Sequence, residues 1–373
     1  MASLLVTGGA GFIGANFVHY WAQTHPADVI VVLDALTYAG RRESLDPARA
    51  HPGFSFVPGD IRDVTLVESL LRSQQLDTIV HFAAESHVDR SIADPVAFID
   101  TNIMGTHALL RAARRVWIDE RCGASHRFHH VSTDEVYGSL APDGSGFNEA
   151  TAYAPNSPYA ASKAGSDHLV RAYHHTYGLA TTISNCSNNY GPYQFPEKLI
   201  PLMILNALSG KPLPVYGDGL NVRDWLHVYD HCRAIGMILT HGRAGDSYNV
   251  GGNSERNNRA LVAQICQIID ARFAADPALA RQFPNSPAAH GAATASAVQS
   301  VPDRPGHDRR YAMDARKIHS ELGFVPAWAF DAGLAATVDW YLANEIWWAV
   351  GASNCFANSS PDISRRTRQQ ARS

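Results

Sequence analysis

Cysteine is scarce in this sequence, and its arrangement excludes two kinds of site. The chain has five cysteines among 373 residues, an odd number, and none of them forms a C-x-x-C pair. They are Cys122, Cys186, Cys232, Cys266 and Cys355. A disulfide scaffold or a structural zinc site needs convergent thiols, so we expect neither, and we expect no other metal. Free thiols suit a reducing compartment, which predicts a cytoplasmic protein.

Long apolar runs and an excess of positive charge are also absent. No apolar stretch approaches the length that would span a bilayer. The net charge is -4 and the pI is near 6.5, so there is no basic field for nucleic acid. With 46% hydrophobic and 18% charged residues, the composition is that of an ordinary globular protein. We therefore expect neither a membrane nor a nucleic acid as a partner.

Short apolar strands alternate with segments of helical periodicity through the first half of the chain. The predicted strands are Leu4–Thr7, Val29–Leu33, Phe54–Pro58, Thr78–Phe82, Phe128–Ser132 and Ala180–Asn185. Strands that alternate with helices form a parallel sheet with helices on both faces. The pattern therefore predicts an α/β fold.

The regular alternation ends near residue 186, where loops rich in Pro, Gly and Asn begin. We expect a dinucleotide-binding domain over 1–186, rejoined by part of about 220–250, a smaller C-terminal α/β domain for substrate over 187–350, and a polar tail over 351–373. Residues 275–300 are rich in Ala, Ser and Pro. That composition predicts a long, partly mobile surface connection.

Two helices have boundaries that the sequence predicts directly. Asp94-Pro95 and Ser157-Pro158 each place a capping side chain before a proline at the first helical position. The first helix carries Ile99, Ile103, Leu110 and Ala113, which we expect near one face. The second is expected to end before Gly178, a favourable C-terminal capping residue.

A glycine-rich turn follows the first predicted strand. Residues Gly8–Gly14 read G-x-x-G-x-x-G, a helix is predicted next, and Asp34 ends the following strand. Glycines at these positions let the backbone approach a pyrophosphate at the helix N-terminus, while an acidic residue binds the adenosine ribose. The context predicts a Rossmann-type doubly wound sheet that binds NAD rather than NADP. Arg41 and Arg42 lie close enough to Asp34 to weaken that preference.

Tyr159 and Lys163 form a Y-x-x-x-K pair near the start of the Ser157 helix. An i, i+4 spacing stacks both side chains on one helix face. A phenol is a poor base at neutral pH, but a nearby ammonium and a cationic nicotinamide favour its ionised form. Such a pair is common by chance, and its position after the glycine motif is what indicates hydride-transfer chemistry.

The stretch STDEV, residues 132–136, places two acids behind an apolar strand. Successive residues of a strand point to opposite faces, so Asp134 and Glu135 could not share a site within one. Either one of them is solvated, or the strand ends near Thr133 and both acids face a ligand at the carboxyl edge of the sheet.

From the N-terminus to about Trp347, the chain resembles the extended short-chain dehydrogenases/reductases. Within their NAD-dependent epimerase/dehydratase family, it closely resembles the dehydratases that act on dTDP-glucose. The matching stretches include TGGAGFIG (7–14), AAESHVDRSI (83–92), STDEVYG (132–138), SPYAASKA (157–164), NCSNNYGPYQFPEKLIP (185–201) and DRPGHDRRYAMD (303–314). The chain departs from the family at Arg41-Arg42, where a neutral residue is usual, in the Ala-rich stretch and in the tail.

The resemblance implies a hydro-lyase with tightly bound NAD that converts dTDP-glucose to dTDP-4-keto-6-deoxyglucose. Tyr159 would take the proton of the sugar 4-hydroxyl as C4 loses hydride, with Thr133 on the 4-oxygen. Glu135 would remove the C5 proton, Asp134 would protonate the departing 6-hydroxyl, and hydride would return to C6. The resemblance also implies a homodimer joined through the Asp94 and Ser157 helices.

Binding residues are implied in the same way. For NAD they are Gly8, Gly11, Phe12, Ile13, Gly14, Asp34, Ala35, Leu36, Thr37, Asp60, Ile61, Ala83, Ala84, Glu85, Thr101, Tyr159, Lys163 and Asn189. For the nucleotide-sugar they are Ser86, Thr133, Asn188, Lys198, Leu199, Pro214, Val215, Tyr216, Arg223, Asn258, Asp303, Arg304, Pro305, Gly306 and His307. Arg223 and Arg304 have guanidinium groups that match a diphosphate, although Arg223 could instead pair with Asp224 or Asp218.

Other functions stay open from the sequence. A 4-epimerase or a decarboxylase also oxidises C4, so the glycine turn and the Tyr159–Lys163 pair do not separate them from a dehydratase. A dehydratase of UDP- or GDP-sugars differs mainly in how it recognises the base and the sugar. A non-catalytic NAD-sensing protein could use the same fold, since fold alone does not fix activity.

Overall fold

Seven parallel strands form the central sheet of the computed structural model, which describes residues 2–121, 125–141, 144–303 and 306–349. The strands lie in the order β10-β6-β5-β4-β1-β2-β3. Their bounds are β1 Ser3–Thr7, β2 Val29–Asp34, β3 Phe54–Pro58, β4 Thr78–His81, β5 Arg127–Thr133, β6 Thr181–Cys186 and β10 Ser247–Val250. The six strands predicted from the first half are confirmed to within one residue at each end.

The chain lays down β1, β2 and β3 in one direction and then returns to place β4 on the other side of β1. The sheet is therefore doubly wound, as predicted, with its topological switch point between β1 and β4. Strand β10 adds to the β6 edge, so a segment beyond residue 186 belongs to this sheet. The division into domains stays a prediction.

Helices cover both faces of this sheet and build the second half of the molecule. Their bounds are α1 Phe12–Thr24, α2 Val64–Ser73, α3 Val88–Ala93, α4 Val96–Phe98, α5 Thr106–Ala113, α6 Pro158–Tyr177, α7 Leu199–Leu208, α8 Val228–His241, α9 Asn258–Ala275, α10 Ala278–Gln282, α11 Arg316–Leu322 and α12 Phe330–Ala343. Two π-helical segments, Ile99–Gly105 and Arg114–Asp119, flank α5. The 3₁₀ segments are Arg42–Ala48, Asp134–Tyr137, Pro287–His290 and Thr294–Ala297.

The alternation of apolar residues along each strand produces two separate cores. Leu5 and Val31 point to the face covered by α2, α5 and α6, whereas Leu4 and Val6 point to the face covered by α1 and α8. All four side chains are buried. Because successive strand residues face opposite ways, a strand that is apolar throughout must be covered on both sides.

Helix α6 follows its predicted boundaries. The Ser157 Oγ accepts a hydrogen bond from the backbone N–H of Ala160 at 3.1 Å, and Pro158 occupies the first turn. Gly178 ends the helix with a φ of +70°, a left-handed conformation that glycine adopts without steric cost.

The helix predicted from Asp94 is interrupted, and the expectation that its apolar residues share one face is wrong. Asp94 closes α3, and its Oδ1 accepts from the N–H of Val96 as the chain turns into α4. A π-helical segment follows and shifts the helical phase. Ile99 is therefore 48% exposed, whereas Leu110, further along the same helical stretch, is fully buried.

The second half has its own core and two small sheets. Strands β7 (Asn188–Tyr190), β9 (Val222–His227) and β11 (Glu255–Asn257) form one sheet, and β8 (Leu213–Tyr216) pairs with β12 (Val298–Val301) in the other. Helices α7, α9 and α12 enclose the core between them. Within the described residues, no helix has the length and apolar character needed to cross a membrane.

Residues 275–300 do not form the mobile connection that their composition predicts. They contain α10, two 3₁₀ turns and the start of β12. Leu279 and Phe283 are buried against the core of the second half, and the hydroxyl of Thr294 donates to Asp270 at 2.5 Å. A few apolar anchors and one hydrogen-bonded cap thus order a stretch of small residues. The predicted tail, 351–373, lies outside the described residues.

Candidate active site

A cleft of about 350 Å³ opens at the carboxyl edge of the central sheet, over the switch point between β1 and β4. Open α/β sheets bind their ligands at this position, because the connecting loops diverge there. The cleft is lined by every residue predicted for the cofactor except Leu36, and by all five residues predicted for catalysis. The predicted catalytic residues and nearly all of the predicted cofactor-binding residues therefore lie in one site.

The glycine turn lies at the floor of the cleft. Gly8 has a φ of +69°, and a Cβ there would lie 2.5 Å from the backbone nitrogen of Ala83. At Gly14 a Cβ would lie 2.3 Å from the carbonyl oxygen of Gly8. Helix α1 begins immediately after Gly11 without a side-chain cap, so its first N–H groups are available to an anion. This geometry fits the pyrophosphate of a dinucleotide.

Asp34 ends β2 beside this turn and is held by backbone groups. Its Oδ2 accepts from the N–H of Ala10 at 2.9 Å, and its Oδ1 accepts from the N–H of Leu36 at 2.8 Å. Asp34 lines the cleft, whereas the Leu36 side chain is exposed outside it. A fixed carboxylate here suits ribose hydroxyls and disfavours a 2′-phosphate.

The two arginines that could have weakened this preference are engaged elsewhere. The Arg41 guanidinium donates to the carbonyl of Trp347 and lies 4.9 Å from the centre of its indole ring. The Arg42 guanidinium lies 5.2 Å from the centre of the Phe56 ring. Neither arginine lines the cleft, so the environment of Asp34 favours NAD over NADP.

Strand β5 ends at Thr133, and a 3₁₀ turn carries the two acids of the STDEV stretch. The Thr133 Oγ1 accepts from the N–H of Glu135 at 3.3 Å, which caps this turn. Asp134 and Glu135 both line the cleft. The expectation that the strand stops near Thr133 is confirmed, and the turn brings two adjacent acids to one cavity.

The two acids differ in their surroundings. Asp134 is only 2% exposed, and its Oδ2 has no hydrogen-bond partner among the described residues. Burial, followed by the neighbouring charge of Glu135, raises the pKa of Asp134 well above its ordinary value. Glu135 is half-buried in the same turn. Asp134 is therefore suited to hold a proton, which a general acid requires.

Tyr159 and Lys163 lie in the first two turns of α6 and reach the same cleft. Burial, then the charge of Glu135, raises the pKa of Tyr159 well above its ordinary value, while a hydrogen bond with Thr133 lowers it. The Lys163 Nζ donates to the carbonyl of Val131 at 2.8 Å. Burial lowers the pKa of Lys163 to about 8. A cation one helical turn from Tyr159 can favour the ionised form of its phenol.

Predicted nucleotide-sugar residues fall into two groups. Ser86, Thr133, Asn188 and Lys198 line the cleft, and the Lys198 Nζ donates to the carbonyl of Ser86 at 2.7 Å. The other described members lie outside its lining: Leu199, Pro214, Val215, Tyr216, Arg223, Asn258, Asp303, Gly306 and His307. Arg304 and Pro305 lie outside the described residues.

The outer group contains contacts of its own. The Tyr216 ring centre lies 6.4 Å from that of His307, whose Nδ1 is 2.6 Å from Asp303 Oδ1. Arg223 donates to the carbonyl of Asp308 at 2.9 Å, and its guanidinium lies 4.3 Å from the ring centre of Tyr311.

Asp218 and Asp224, which the sequence suggested as partners of Arg223, both make other contacts. The Asp218 carboxylate lies 2.9 Å from Arg309, and Asp224 accepts from the N–H groups of Gly252 and Ser254. The charge of Arg223 acts on Asp134, which lines the cleft.

Sequence reasoning missed two groups of residues at the site. The Tyr38 hydroxyl donates to Glu197 at 3.0 Å, and the Arg90 guanidinium lies 3.9 Å from the Tyr38 ring centre, so these side chains join the two walls of the cleft. Behind Lys163 lies a buried network around Asp167 and His130. The continued spacing of Tyr159, Lys163 and Asp167 at every fourth residue is a signal that could have found Asp167.

A doubly wound sheet with a glycine turn at its switch point, and a tyrosine–lysine helix facing the same cleft, define an extended short-chain dehydrogenase/reductase. Comparison with known proteins narrows this class. A family model described as GDP-mannose 4,6 dehydratase matches residues 5–337. The chain is 55% identical over 349 residues to a dTDP-glucose 4,6-dehydratase of Xanthomonas campestris pv. campestris (strain B100), covering 93% of this chain and 95% of that relative.

A second relative and a solved structure agree. A dTDP-glucose 4,6-dehydratase of Escherichia coli is 51% identical over 354 residues, which cover 92% of this chain and 94% of the relative. The crystal structure of a dTDP-glucose 4,6-dehydratase from Streptomyces venezuelae, with NAD bound, has a TM-score of 0.81 at 50% identity and covers 94% of this chain and 99% of that one. The chain belongs to the dTDP-glucose 4,6-dehydratase family, as its sequence predicts.

Proposed function

We propose that this protein is a dTDP-glucose 4,6-dehydratase that holds NAD and converts dTDP-glucose to dTDP-4-keto-6-deoxyglucose. The observation that carries the proposal is that the acid pair Asp134–Glu135 and the pair Tyr159–Lys163 line one cleft. A 4-epimerase or a decarboxylase does not have to protonate a departing 6-hydroxyl. Burial raises the pKa of the Asp134 carboxyl group, which suits it to supply that proton and therefore favours the dehydratase.

The cleft fits a dinucleotide at its glycine-turn end. A side chain at Gly8 or Gly14 would collide with backbone atoms, so the turn leaves its space to a pyrophosphate. Asp34 would hold the adenosine ribose, and Thr101 and Asn189, which also line the cleft, would lie along the cofactor. NAD bound here supplies the chemistry of accepting a hydride from carbon and returning it.

Tyr159 would act on the 4-hydroxyl of the sugar. It needs to become a phenolate, which burial opposes. An ammonium on Lys163, one helical turn away, would favour the phenolate. Thr133 interacts with Tyr159 and would orient the sugar 4-oxygen toward it. Proton removal by a positioned base of this kind contributes about 10²- to 10⁴-fold to a rate.

The two acids would then divide the elimination between them. The 4-ketone acidifies the C5 proton, which the Glu135 carboxylate would remove. Asp134, whose pKa burial raises, would donate a proton to the departing 6-oxygen, so that water leaves across C5–C6. The turn after β5 supplies both groups at the same point of the cleft.

The other binding residues would hold the nucleotide. Ser86 and Lys198 bridge the two walls of the cleft, and Asn188 lies beside them. Arg223 would contact the diphosphate through its guanidinium, with Asn258 and the segment 303–307 around the base and sugar. The identities of 55% and 51% to the two relatives above support dTDP as the nucleotide.

The reaction is tested with three substrates offered to the NAD-loaded protein. We expect a 4-keto-6-deoxy product from dTDP-glucose and at most traces from UDP-glucose or GDP-mannose. Turnover of one of the latter without dTDP-glucose turnover would overturn the nucleotide assignment. No turnover of any of them, with NAD bound, would favour a sensor.

The division between the two acids is tested by Glu135→Gln. We expect this variant to retain oxidation at C4 and lose elimination, because only the C5 base is removed, so that reduced cofactor accumulates and is seen in the absorbance of NADH. The control is Glu149→Gln, a half-buried glutamate outside the cleft that accepts from the N–H of Asn249 at 2.8 Å. If Glu135→Gln reduced no NAD at all, Glu135 would not be the C5 base.

An exposed apolar surface supports the homodimer. Ile92, Val96, Ile99 and Met104 are between 43% and 60% exposed on consecutive helical segments next to α6. Large apolar side chains grouped in this way are typical of an interface. Sedimentation of the wild type and of Ile99→Lys would test it, and a wild-type monomer would exclude it.

Cys186, Cys232 and Cys266 are buried free thiols, which supports a cytoplasmic location.

A further inference from the structure

We propose that Asp167, acting through the ring of His130, is a positioning residue that keeps Lys163 in its ammonium form beside Tyr159. The inference rests on the proposed function, because it concerns the lysine of that same site. Asp167 is not among the residues that line the cleft. Its place in the fold is one helical turn beyond Lys163 on α6, facing β5.

Two charged side chains approach one nitrogen atom of the His130 ring. The Lys163 Nζ lies 3.2 Å from the Nε2 of His130, and Asp167 Oδ1 lies 3.2 Å from the same Nε2. The side chains of His130 and Asp167 are completely buried. The Lys163 ammonium needs a lone pair on this ring nitrogen to donate to, whereas the Asp167 carboxylate needs a proton on the same nitrogen to accept.

The protonation state of this nitrogen links Lys163, His130 and Asp167. If Nε2 carries a proton, it donates to Asp167 and cannot accept from Lys163. If Nε2 carries none, it accepts from the ammonium, and the carboxylate lies close without a hydrogen bond. In either arrangement the Lys163 ammonium and the Asp167 carboxylate each lie 3.2 Å from the same ring nitrogen, so the charge of one acts on the proton of the other.

Asp167 is held in place and ionised by other donors. Its Oδ2 accepts from the hydroxyls of Ser132 and Tyr153, each at 2.8 Å. Burial alone would raise the pKa of Asp167, but the hydrogen bond and charge of His130 and the charge of Lys163 bring it below its ordinary value. The carboxylate is therefore a fixed negative charge beneath the site.

That charge decides the state of Lys163 near neutral pH. Burial lowers the pKa of Lys163 to about 8, and Asp167 opposes this effect. Without the carboxylate, the ammonium would lose its proton within the working range of the enzyme. Tyr159 would then lose the neighbouring cation that favours its ionised form.

Other titratable groups face the network from the surrounding elements. His81 on β4 approaches the His130 ring with 5.1 Å between ring centres, but both of its nitrogens are bonded to threonines. Cys186 on β6 faces Lys163, and burial raises the pKa of its thiol. Arg171 on α6 donates to the Tyr153 hydroxyl at 3.0 Å. Asp167 is the carboxylate that contacts the His130 ring.

The test compares Asp167→Asn with Tyr153→Phe on the NAD-loaded protein. Asparagine has nearly the same shape but no charge, so the alkaline limb of the kcat profile should move down by about one pH unit, with KM for the nucleotide-sugar unchanged. Phenylalanine removes a hydrogen bond to the same carboxylate and keeps its charge, so that limb should stay in place. An unmoved limb in Asp167→Asn would make Asp167 a packing residue only and overturn the proposal.

A second readout does not depend on turnover. Labelling with a small amine-reactive reagent, measured on the peptide that contains Lys163, gives the pH midpoint of that amine directly. The midpoint should fall in Asp167→Asn by the same amount as the kinetic limb. An unchanged midpoint overturns the inference whatever the substrate proves to be, whereas failure of dTDP-glucose turnover in the wild type overturns the proposed function and leaves this result standing.

A pair of His130 variants covers the case in which Asp167→Asn does not fold. In His130→Gln one amide can accept from Lys163 and donate to Asp167, so the labelling midpoint should stay within a few tenths of a unit of wild type. In His130→Leu both contacts are lost, and the midpoint should fall. Equal midpoints in the two variants would overturn the role of the ring.

Discussion

The two ends of the cleft are built in different ways. At the cofactor end, the contacts come from one local unit, in which Gly8 and Gly14 pack against backbone atoms and Asp34 is held by backbone N–H groups. At the sugar end, the predicted contacts come from side chains on distant segments, such as Ser86, Lys198 and Arg223. The first end depends on backbone geometry and the second on the reach of side chains.

This difference explains what each end can tolerate. Backbone contacts recognise what all dinucleotides share, so a change there removes the cofactor rather than changing its identity. Side chains from several segments can be exchanged one at a time, which suits recognition of different bases and sugars. We therefore expect changes at the cofactor end to act on binding of NAD and on every later step, and changes at the sugar end to act mainly on KM.

Gly14→Ala should give the largest effect, and a mild effect would mean that the cofactor end does not depend on backbone geometry. Its Cβ would lie 2.3 Å from the carbonyl oxygen of Gly8, so the turn must shift. We expect NAD to be absent from the purified protein, activity to fall about 100-fold and stability to fall by about 1–3 kcal/mol. Cofactor content, kcat/KM and urea unfolding measure these changes.

The matched control is Gly165→Ala on α6, where the nearest atom to a Cβ is the end of the Ile103 side chain at 3.2 Å. That side chain can move, so NAD content should stay as in wild type. Retention of NAD by Gly14→Ala would show that the turn does not need its close backbone approach.

Asp34→Asn should change which cofactor is accepted. Removing one carboxylate charge lifts the repulsion of a 2′-phosphate, and Arg41 and Arg42 are already engaged elsewhere. We expect the preference for NAD over NADP to fall about 30-fold, or about 2 kcal/mol. Reactivation of cofactor-free protein by each dinucleotide measures it. An unchanged preference would mean that another group excludes the 2′-phosphate.

Lys198→Met tests the sugar end. The lost ammonium donates to the carbonyl of Ser86 across the cleft, so KM for the nucleotide-sugar should rise about tenfold while kcat changes little. Lys317→Met is the control, because Lys317 also donates to a backbone carbonyl, that of Ser247, at 2.9 Å, but lies outside the cleft. A fall in kcat with unchanged KM would place Lys198 in the chemistry instead.

Asp134→Asn should abolish the dehydration of the substrate, and it should slightly raise the free energy of unfolding. The pKa of Asp134 is raised in the folded protein, so stability falls as pH rises from the ordinary aspartate pKa to the folded value. Asparagine removes that cost, and Tm at neutral pH should increase, with the gap closing in acid. Asp167→Asn should lower Tm instead, because the pKa of Asp167 is lowered on folding. A lower Tm for Asp134→Asn at neutral pH would contradict a raised pKa of Asp134 in the folded protein.

The parts of the fold that were predicted well depend on local rules. The strands of the central sheet follow from short apolar runs, and α6 follows from its Ser157-Pro158 start and its Gly178 end. The helix after Asp94 was not predicted well, because π-helical turns change the phase that periodicity assumes. Residues 275–300 were misread because Leu279, Phe283 and Thr294 order a composition that usually indicates a loop.

The strands of the first half, the glycine turn, the Y-x-x-x-K pair and the family resemblance follow from the sequence alone, because each depends on neighbouring residues. Tertiary structure decided that Asp134 is buried and Glu135 less so, that Arg41 and Arg42 turn away from Asp34, and that Asp167 meets Lys163 at the ring of His130. These features depend on burial and on contacts between residues far apart in the chain. Spacing along a sequence carries no record of either.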